Sequence, residues 1–426
     1  MATSSQITNP REFLTELFLR AVAAADPMRV VPPFLPAKPK GRLLVIGAGK
    51  ASARMAEAVE SHYGPCEGLV ITRYGYARDC AGIEIVEAAH PVPDAAGVAA
   101  TQRLLDLVSD LTPDDLVLAL ISGGGSALLC APAAGLTVEE KMGVNRALLD
   151  SGAPIGQMNV VRKHLSLVKG GRLAAACHPA QVLTLLISDV PGDDPAQIAS
   201  GPMAGDGSTP ADALAILDQY KIAVSPAVRA TLNRPSSVIP VDDPRLAAAE
   251  TRIIASPLHS LSIAGHLAEA SGCEVRMLGD ALEGEARDLG AAQACMAKAL
   301  RKDVESSGRP IVLLSGGECT VTRRGDGVGG PNAEFVLSAA LELDGCAGIH
   351  VLACDTDGVD GAAEVAGAYA GPETLAQARQ IGADPALALA NNDAHSFFGT
   401  ASSQIVTGPT LTNVNDFRAV IITPGQ

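Results

Sequence analysis

The feature that most constrains the fold is the stretch from Leu116 to Leu129, which reads LVLALISGGGSALL. Its first residues are apolar and typical of a buried β-strand, and the Ser-Gly-Gly-Gly-Ser segment then breaks that strand. The residues after the break can begin a helix. A glycine-rich turn between a strand and a helix presents backbone N–H groups and the positive end of the helix dipole. The stretch therefore predicts a site for a phosphate or a carboxylate.

Three other segments repeat this pattern of an apolar run followed by glycine. Leu43–Lys50 (LLVIGAGK) precedes the central stretch, and Ile311–Glu318 (IVLLSGGE) and Ile349–Gly361 (IHVLACDTDGVDG) follow it. In α/β proteins the ends of parallel strands gather at one edge of a sheet, where ligands bind. The four segments together predict that the protein binds an anionic ligand where these strand ends converge.

Length and composition favour an α/β enzyme of two or three domains. The chain has 426 residues, and it combines 47% hydrophobic residues and 43 glycines with only 3% aromatics. Its formal net charge of −15 at pH 7 repels nucleic acids and acidic membrane surfaces. We therefore expect a small-molecule substrate, no nucleic-acid or membrane partner, and a local cluster of positive charge at any site for an anion.

The sequence also predicts a cytoplasmic protein. No apolar run approaches the roughly 20 residues of a membrane span. The N-terminal segment through Val22 is typical of an amphipathic helix and not of a secretory signal. The nine cysteines include no CxxC pair, which favours reduced thiols over a disulfide or zinc framework. The oligomeric state is open, and a homodimer is one alternative.

Alternating apolar runs and helical patterns predict βαβ units on a parallel sheet in the first half of the chain. The pattern restarts after a polar, proline-spaced segment between Asp206 and Pro244. We place the domain boundary at the end of that segment, which gives domains of residues 1–245 and 246–426. Helices are predicted at Val138–Ser151 and at Asn159–Lys169, the second of which would end at a Gly-Gly pair.

Gly47-Ala48-Gly49-Lys50 has three alternative interpretations. It could open a dinucleotide-binding fold, but Ser52 replaces the third glycine of GxGxxG, and the next strand ends in Thr72-Arg73 instead of an acid. Lys50 could instead place an ammonium group against a phosphate or carboxylate. The third interpretation is a solvated lysine at the start of a helix. A P-loop is excluded, because GxxxxGK[ST] spacing does not occur.

The Ser122–Ser126 turn is a more specific candidate for an anion site. Gly123, Gly124 and Gly125 allow its backbone to approach a ligand at very short range. Ser126 can cap the following helix or donate a hydrogen bond to a phosphate. The alternative is a plain turn with no ligand.

A basic helix is the strongest local charge signal in this acidic chain. In the segment from Asn159 to Arg172 (NVVRKHLSLVKGGR), helical spacing places Arg162, Ser166 and Lys169 on one face. Such a face is commonly only solvated surface. It also suits an anionic substrate, because an arginine can bind a carboxylate through two hydrogen bonds. We interpret His164 as a residue of the helix surface.

Asp189 and Asp193 follow a buried strand in the segment SDVPGDDP. Carboxylates at the end of a parallel strand can bind a metal ion or accept a proton. The alternative is an aspartate-rich turn that caps helices. A hydrolase or a zinc enzyme is disfavoured, since no Ser-His-Asp order is apparent and no two histidines have metal-ligand spacing.

The polar segments of the second half are ambiguous by themselves. DTDGVDG places Asp355, Asp357 and Asp360 close together, but it lacks the pattern of an EF-hand. It can bind Mg²⁺ or face a phosphate, or it can form a purely structural turn. Further binding candidates of the same kind are Ser315, Gly316, Gly317, Glu318, Asn332, Thr410 and Asn413.

Taken together, these motifs closely resemble the class II glycerate 2-kinase family, whose members older descriptions call putative hydroxypyruvate reductases. The resemblance covers nearly the whole chain in one order. Its segments are GAGKAS at Gly47, SGGGSALL at Ser122, NVVRKHLSLVKGGRLA at Asn159, SDVPGDDPAQIASGP at Ser188, SGGE at Ser315, DTDGVDG at Asp355 and TGPTLTNVND at Thr407.

The resemblance implies a Rossmann-like glycerate kinase domain with a parallel sheet, a smaller C-terminal α/β domain of the MOFRL type, and an active site in the cleft between them. It implies transfer of the γ-phosphoryl group of ATP to the 2-hydroxyl of D-glycerate, giving 2-phospho-D-glycerate, with Mg²⁺ required. Lys50 matches a family lysine implicated in catalysis. One departure is Gly-Gly-Pro331-Asn-Ala-Glu where many members have Gly-Gly-Arg-Asn-Gln-Glu. Another residue would have to replace that arginine, and Arg323 and Arg324 are the candidates.

The residues and the resemblance both lead us to expect phosphoryl transfer, in which positioning and charge neutralisation dominate catalysis. Lys50 and the Ser122–Ser126 turn would hold phosphoryl oxygens. Arg162 and Lys169 would bind the substrate carboxylate or the polyphosphate.

Two aspartates complete this hypothesis. Asp189 would accept the proton of the hydroxyl or, together with Asp193, hold Mg²⁺. The alternatives from other classes are an NAD(P)H-dependent hydroxypyruvate reductase and a non-catalytic sensor of anionic metabolites or nucleotides.

Overall fold

A computed structural model describes residues 7–235, 237–361 and 363–424. Its contacts divide the chain into two units, and each is described by itself. The first unit is Pro27–Ile254, and the second contains the chain up to Asp26 together with the chain from Ala255 onward. No helix of the described residues is long and apolar enough to cross a membrane.

Six strands form the sheet of the first unit: β1 (Leu43–Ala48), β2 (Glu67–Arg73), β3 (Ile83–Ala88), β4 (Leu116–Ile121), β5 (Gln181–Ile187) and β6 (Ala249–Ala255). Their order in the sheet is β3-β2-β1-β4-β5-β6, and β1 to β5 are paired in parallel. The predicted parallel α/β sheet is thus confirmed. The chain moves outward from β1 to β3 and returns to the opposite side at β4, so the strand order reverses between β1 and β4.

The first unit also contains helices and short turns of helix. They are α2 (Pro27–Val30), α3 (Ser52–Tyr63), α4 (Ala95–Leu107), α5 (Gly125–Leu128), α6 (Val138–Asp150), α7 (Ile155–His164), α8 (Arg172–Ala176), α9 (Pro210–Gln219) and α10 (Pro226–Leu232). Every residue of β4 is buried, as expected for a central parallel strand with covered faces. Leu44, Ile46, Ile71, Val117 and Ile121 contribute to the core that fills one face.

The second unit contains a mixed sheet. Its strands are β7 (Glu274–Gly279), β8 (Gly284–Glu285), β9 (Ile311–Gly317), β10 (Cys319–Thr320), β11 (Ile349–Asp355), β12 (Gly367–Ala370), β13 (Gln404–Ile405) and β14 (Asp416–Ile422). The main sheet has the order β13-β12-β11-β14-β9-β7, and β8 pairs separately with β10. Only the β7–β9 pairing is parallel in the main sheet. The last strand, β14, therefore lies in the middle.

Seven helices of the described chain belong to the second unit: α1 (Pro10–Ala24), α11 (Pro257–Ala270), α12 (Ala286–Ser307), α13 (Pro331–Leu343), α14 (Thr374–Gln380), α15 (Pro385–Ala390) and α16 (Ala394–Thr400). Separate apolar clusters cover the sheet, one containing α12 and α13 and the other α1 and α11. α13 begins in the Pro331-Asn332 segment, for which only a polar segment was predicted.

The two units divide the chain at positions other than the predicted residue 245. α1 packs with the second unit, where the buried Phe18 ring lies 5.8 Å from the Phe417 ring. The polar, proline-spaced segment is part of the first unit, since Ile239 N–H donates to the Gly170 carbonyl. β6 follows that segment and completes the first sheet. Contacts between residues that are distant in sequence, and not local composition, thus decide where each segment packs.

The predicted order of strand, glycine-rich turn and helix is correct for the first unit and wrong for the second. β9 continues through Gly316-Gly317 and leads into β10. β11 ends at Asp355, and among the described residues β12 follows without an intervening helix. The physical reason is the antiparallel pairing of β11 with β12, because antiparallel neighbours do not need a helical crossover.

Candidate active site

The reversal of strand order in the first sheet brings two of the predicted motifs together. β1 and β4 are adjacent, with Ala48 opposite Ile121 at their carboxyl ends. The turn after β1 therefore lies beside the turn after β4, and Lys50 N–H donates to the Gly123 carbonyl at 2.8 Å. Open α/β sheets bind ligands at such a reversal, outside the carboxyl ends of the strands.

Ser122 joins the two turns internally. Its side chain is buried, and its Oγ accepts a hydrogen bond from Ala51 N–H at 3.0 Å and lies 3.2 Å from the Ser52 hydroxyl. The Ser122 hydroxyl, predicted to bind a ligand, is thus engaged in holding the start of α3.

Each of the two turns contains a position that requires glycine. Gly49 has φ +146°, and a Cβ there would lie 2.1 Å from the Ser122 hydroxyl oxygen. Gly124 has φ +81°, and its Cβ would lie 3.1 Å from the His90 ring and 3.2 Å from the Lys50 side chain. A side chain on Gly124 would strain the backbone and crowd these two neighbours. The glycines therefore allow Lys50 and His90 to approach the turn.

Lys169 holds the end of the glycine-rich turn. Its Nζ donates to the Ser126 carbonyl at 2.7 Å, to the Ser126 hydroxyl at 3.1 Å and to the Ala199 carbonyl at 3.4 Å. The side chain is buried, and this burial lowers the pKa of Lys169 well below its ordinary value. Lys169 thus positions Ser126.

The predicted basic helix face is wrong. α7 ends at His164, so Ser166 and Lys169 lie in the turn after the helix. Gly170 and Gly171 both have positive φ, but they begin the next element instead of ending this helix. Ser166 uses its Oγ to accept from the N–H of Val168 and Lys169 within that turn. Turn geometry, and not helical spacing, brings Lys169 to Ser126.

A chain of polar side chains extends from Ser126. Its hydroxyl lies 2.8 Å from that of Ser200, which donates to Asn159 Oδ1 at 3.1 Å. Asn159 Oδ1 also accepts from Arg162 at 3.4 Å. Ser200 has φ +61°, a conformation that costs a non-glycine residue roughly 1–3 kcal/mol. Ser200 was not predicted, although the adjacent Gly-Pro was a signal for unusual backbone.

A cavity of about 370 Å³ lies against this arrangement. Its polar lining includes Arg146, Arg162 and His90, and no carboxylate is among its lining residues. Burial lowers the pKa of Arg162. Val92, Leu149 and Ile155 form an apolar part of the rim. The cavity thus presents arginines to an anionic group and apolar side chains to the rest of a ligand. His90 and Arg146 were not predicted.

Asp189 and Asp193 follow β5, which is adjacent to β4. Asp189 is half-buried, two residues after the end of the strand. Asp193 has φ +55°, and its Oδ1 is buried without a hydrogen-bond partner among the described residues. In the described chain, no three His, Cys, Asp or Glu side chains form a metal-binding group. Two carboxylates are nonetheless sufficient for Mg²⁺ when ligand phosphates and water supply its other bonds.

The candidate residues of the second unit meet at one edge of the mixed sheet. β14 lies between β9 and β11, and Asp416 is opposite Gly317 on one side and Asp355 on the other. The loops that carry the predicted polar motifs therefore start or end at this edge. Asp416 was not predicted, because its partners are close only after the sheet forms.

Arg418 is the central cation of this edge. It is fully buried and donates to the Gly316 carbonyl at 3.0 Å, the Gly317 carbonyl at 2.8 Å and the Asp416 carboxylate at 2.6 Å. Burial raises the pKa of Asp416, and Arg418 opposes that shift. The glycine pair of SGGE thus presents its carbonyls to Arg418. Ser315 is buried as well and accepts from Gln293 at 2.9 Å, whereas Glu318 is exposed.

Asp360 caps α13 from a distant loop. Its carboxylate accepts from Asn332 N–H at 3.0 Å and Ala333 N–H at 2.8 Å, and it lies 3.0 Å from His395 Nε2. Asn332 Nδ2 bridges from Asp360 to Asp416, at 3.3 Å and 2.7 Å. Carboxylates stabilise a helix N-terminus through the helix dipole. The Asp360 carboxylate, a predicted ligand group, is therefore satisfied within the protein.

The other predicted residues of the second unit also shape its loops. Asp355 accepts from Asp357 N–H at 2.9 Å, and Asp357 accepts from Val359 N–H at 2.8 Å. The Thr410 hydroxyl donates to the Thr356 carbonyl, and Asn413 Oδ1 accepts from Asn415 N–H at 3.2 Å. These bonds fold the DTDGVDG and TGPTLTNVND segments into defined turns.

Arg323 and Arg324 were the candidates to replace the family arginine at Pro331. Both are exposed, and Arg323 donates to the Gly325 carbonyl in its own loop at 3.1 Å. The buried Glu334 pairs with Arg287 at 2.6 Å. The half-buried Arg287 and the buried Arg418 of this unit thus come from other segments.

His164 is buried at the end of α7, so its interpretation as a surface residue is wrong. A ring nitrogen lies 3.2 Å from the Ser208 hydroxyl. Its neighbour Lys163 is also buried and forms an ion pair with Asp206. Burial, assisted by the nearby Arg172 charge, lowers the pKa of His164 to about 4. The end of α7 thus packs into the first unit.

Two family models match the chain. A domain of unknown function, DUF4147, matches residues 13–233, and the MOFRL family matches residues 311–416. The "putative hydroxypyruvate reductase" of Agrobacterium vitis is 47% identical, over 97% of this chain and 94% of that protein. The "D-glycerate 2-kinase" of Thermotoga maritima is 37% identical, over 95% and 97%. The crystal structure of a glycerate kinase from T. maritima aligns with a TM-score of 0.84 at 37% identity, covering 97% of this chain and 99% of that chain.

The lowered pKa of His164 predicts a pH dependence of stability. His164 stays neutral in the folded protein down to about pH 4, whereas an unfolded histidine gains a proton near pH 6.5. Because the unfolded state binds more protons in this window, stability decreases as the pH falls from about 6.5 to about 4. We expect His164→Gln to reduce this decrease, measured by urea unfolding at pH 7 and pH 4.5.

His62→Gln is the matched control, since His62 is exposed on α3. Its stability should follow that of the unsubstituted protein at both pH values. If His164→Gln also loses stability in parallel with the unsubstituted protein, burial of His164 does not contribute to the pH dependence.

Proposed function

Because this chain belongs to the glycerate kinase family, we propose that it transfers the γ-phosphoryl group of ATP to the 2-hydroxyl of D-glycerate, giving 2-phospho-D-glycerate. The observation that carries the proposal is the convergence of Lys50, the Ser122–Ser126 turn and Asp189 at the ends of the three adjacent strands β1, β4 and β5. A cation, a glycine-rich turn and a carboxylate are the groups that phosphoryl transfer requires.

Lys50 and the backbone of the Ser122–Ser126 turn are proposed to hold phosphoryl oxygens. Backbone N–H groups at a glycine-rich turn bind such oxygens without the entropy cost of ordering a side chain. Lys169 and Ser200 act through Ser126, which they hold in place. The turn is therefore organised before the ligand binds, which favours stabilisation of charge in the transition state.

Arg162 is proposed to bind the glycerate carboxylate or a phosphate from the cavity wall. Its hydrogen bond to Asn159 orients the guanidinium, and burial strengthens its interaction with an anion. Arg146 lines the same cavity and would add positive charge, and the His90 ring is also part of the lining. The apolar side chains Leu149 and Ile155 lie on the rim, where they can cover uncharged parts of a ligand.

Asp189 is proposed to accept the proton of the glycerate 2-hydroxyl, or to hold Mg²⁺ together with Asp193. The buried, unpartnered Oδ1 of Asp193 fits a metal ligand, because a buried carboxylate oxygen without a partner is costly. When bound, Mg²⁺ would neutralise charge on the phosphoryl oxygens. Asp189 itself would orient the hydroxyl toward the phosphoryl group.

The polar loops of the second unit are proposed to contribute to ligand binding through their shape. Arg418, Asp360 and Asn332 fix the backbone at the sheet edge, while the exposed Glu318 remains accessible. The internal hydrogen bonds of these loops reduce the entropy lost when a ligand orders them.

A second candidate function is reduction of hydroxypyruvate with NAD(P)H. The strand order of the first sheet is that of dinucleotide-binding folds, and the A. vitis relative has the name of such a reductase. Against this function, Ser52 occupies the position of the third fingerprint glycine, and its hydroxyl packs 3.2 Å from that of Ser122. A glycine is needed there for close packing of helix and strand in a dinucleotide site.

A paired assay on the purified protein tests the proposal. One sample receives ATP, Mg²⁺ and D-glycerate, and NMR resolves the phosphoglycerate isomers. The other receives NADH or NADPH with hydroxypyruvate. We expect 2-phosphoglycerate and no oxidation of the nicotinamide. Oxidation without phosphoglycerate would identify a reductase, and nucleotide binding without turnover of either kind would identify a sensor.

Asp189→Asn tests the proposed base. We expect kcat to fall by roughly 10²–10⁴-fold, the usual contribution of general-base catalysis, with no change in the folded structure. Asp194→Asn is the matched control, because Asp194 is exposed and its carboxylate accepts from Ala196 N–H. Its kcat should stay near that of the unsubstituted enzyme. An unchanged kcat in Asp189→Asn would remove Asp189 from the chemistry.

Gly124→Ala tests the approach of the turn to Lys50 and His90. Gly124 and Gly135 both have strongly positive φ, but a Cβ on Gly135 would meet nothing within 4 Å. Alanine should therefore cost each position roughly 1–2 kcal/mol of backbone strain. Only Gly124→Ala should lower kcat/KM, by roughly 10²-fold, because it displaces groups at the reacting centre. Equal losses of kcat/KM in both variants would contradict a specific role of the turn.

A further inference from the structure

Lys141 is a buried lysine that the proposed mechanism does not use. It lies on α6 and is 3% exposed, and its Nζ has no hydrogen-bond partner among the described residues. A buried ammonium group without a partner is costly, because it loses its hydration. Burial without a partner therefore favours the neutral amine of Lys141 more than water does for an exposed lysine.

The groups around Lys141 also lower its pKa. Burial lowers its pKa most, the charges of Arg172 and Arg162 lower it further, and only the Cys130 thiol opposes them. Lys141 in turn helps to lower the pKa of Lys169. No carboxylate is among the groups that act on Lys141. Among the described residues, the charged groups that act on Lys141 thus include two guanidinium groups and no carboxylate.

A ligand in the neighbouring cavity does not supply an anionic partner for Lys141. α6 contributes Met142, Asn145, Arg146 and Leu149 to the cavity lining, but not Lys141. Any partner for the Lys141 amine must therefore reach a side chain that does not line the cavity. A small, uncharged molecule can enter the protein interior without the desolvation cost of an ion.

We propose that Lys141 is a site of reversible carbamylation by carbon dioxide. The lone pair of the neutral Nζ attacks the carbon of CO₂ and forms an N–C bond. One C=O π bond breaks, its electrons become a carboxylate lone pair, and one proton leaves Nζ for water. The balance is R–NH₂ + CO₂ → R–NH–COO⁻ + H⁺, with no oxidant or reductant.

The carbamate supplies a carboxylate, which the groups that act on Lys141 do not include. A neutral amine becomes an anion near Arg162 and Arg172, where opposite charges attract strongly because little water screens them. Its oxygens are also acceptors for buried donors, whereas the amine had no partner. Formation of the carbamate does not depend on phosphoryl transfer, so it is testable whether or not the proposed kinase activity is correct.

The test uses the full-length protein in buffer with ¹³C-labelled bicarbonate. ¹³C NMR should show a carbamate signal that disappears when CO₂ is removed. Alkylation with a trialkyloxonium salt traps the carbamate, and peptide mass spectrometry should locate it on the peptide that contains Lys141. The signal should be lost in Lys141→Met and retained in Lys302→Met, because Lys302 is an exposed lysine of α12.

If Lys141→Met does not fold, trapping of the carbamate on the unsubstituted protein still tests the proposal. Absence of a carbamate at the Lys141 peptide, or equal trapping on exposed lysines, would overturn it. A signal that persists in folded Lys141→Met would overturn it as well. As an independent readout, the melting temperature of the unsubstituted protein should rise with CO₂, since CO₂ would bind only the folded state at this site.

Discussion

The bond network of the buried Lys169 is the interaction on which the candidate active site depends. One amine reaches both the carbonyl and the hydroxyl of Ser126, and a third acceptor on Ala199 completes its environment. Burial of a lysine is unfavourable by itself, and only these acceptors make it tolerable. The same bonds extend through Ser200 to Asn159, so the glycine-rich turn has one defined shape. Positioning of this kind is what phosphoryl transfer requires of a protein.

The second unit follows the same principle with a buried arginine. Arg418 is buried under the edge of the mixed sheet, where it binds the carbonyls of Gly316 and Gly317 and the carboxylate of Asp416. Asp360 adds a carboxylate at the N-terminus of α13. In both units, glycine-rich backbone that would otherwise be flexible is fixed by a charged group distant in sequence. The entropy cost of ordering these loops is therefore met when the protein folds, before a ligand arrives.

The sequence predicted local elements better than side-chain positions. The predicted strands that precede Lys50 and the Ser122–Ser126 turn were correct, because apolar runs and glycine breaks are local signals. The shared helix face of Arg162 and Lys169 was wrong, since α7 ends earlier and a turn carries Lys169 inward. His164 was assigned to the surface and is buried. Burial of a polar residue depends on distant partners, and helical spacing does not contain that information.

By itself, the sequence determined the α/β class, the two main glycine-rich segments of the first unit and, through the order of its motifs, the family. These features depend on residue types at short spacing, which local propensity and periodicity express. Only the tertiary structure decided that the last strand lies in the middle of the second sheet, that α1 packs with that unit, and that Ser200 and Arg418 join the sites. The physical reason is that hydrogen bonds and apolar contacts between distant segments form only when the whole chain folds.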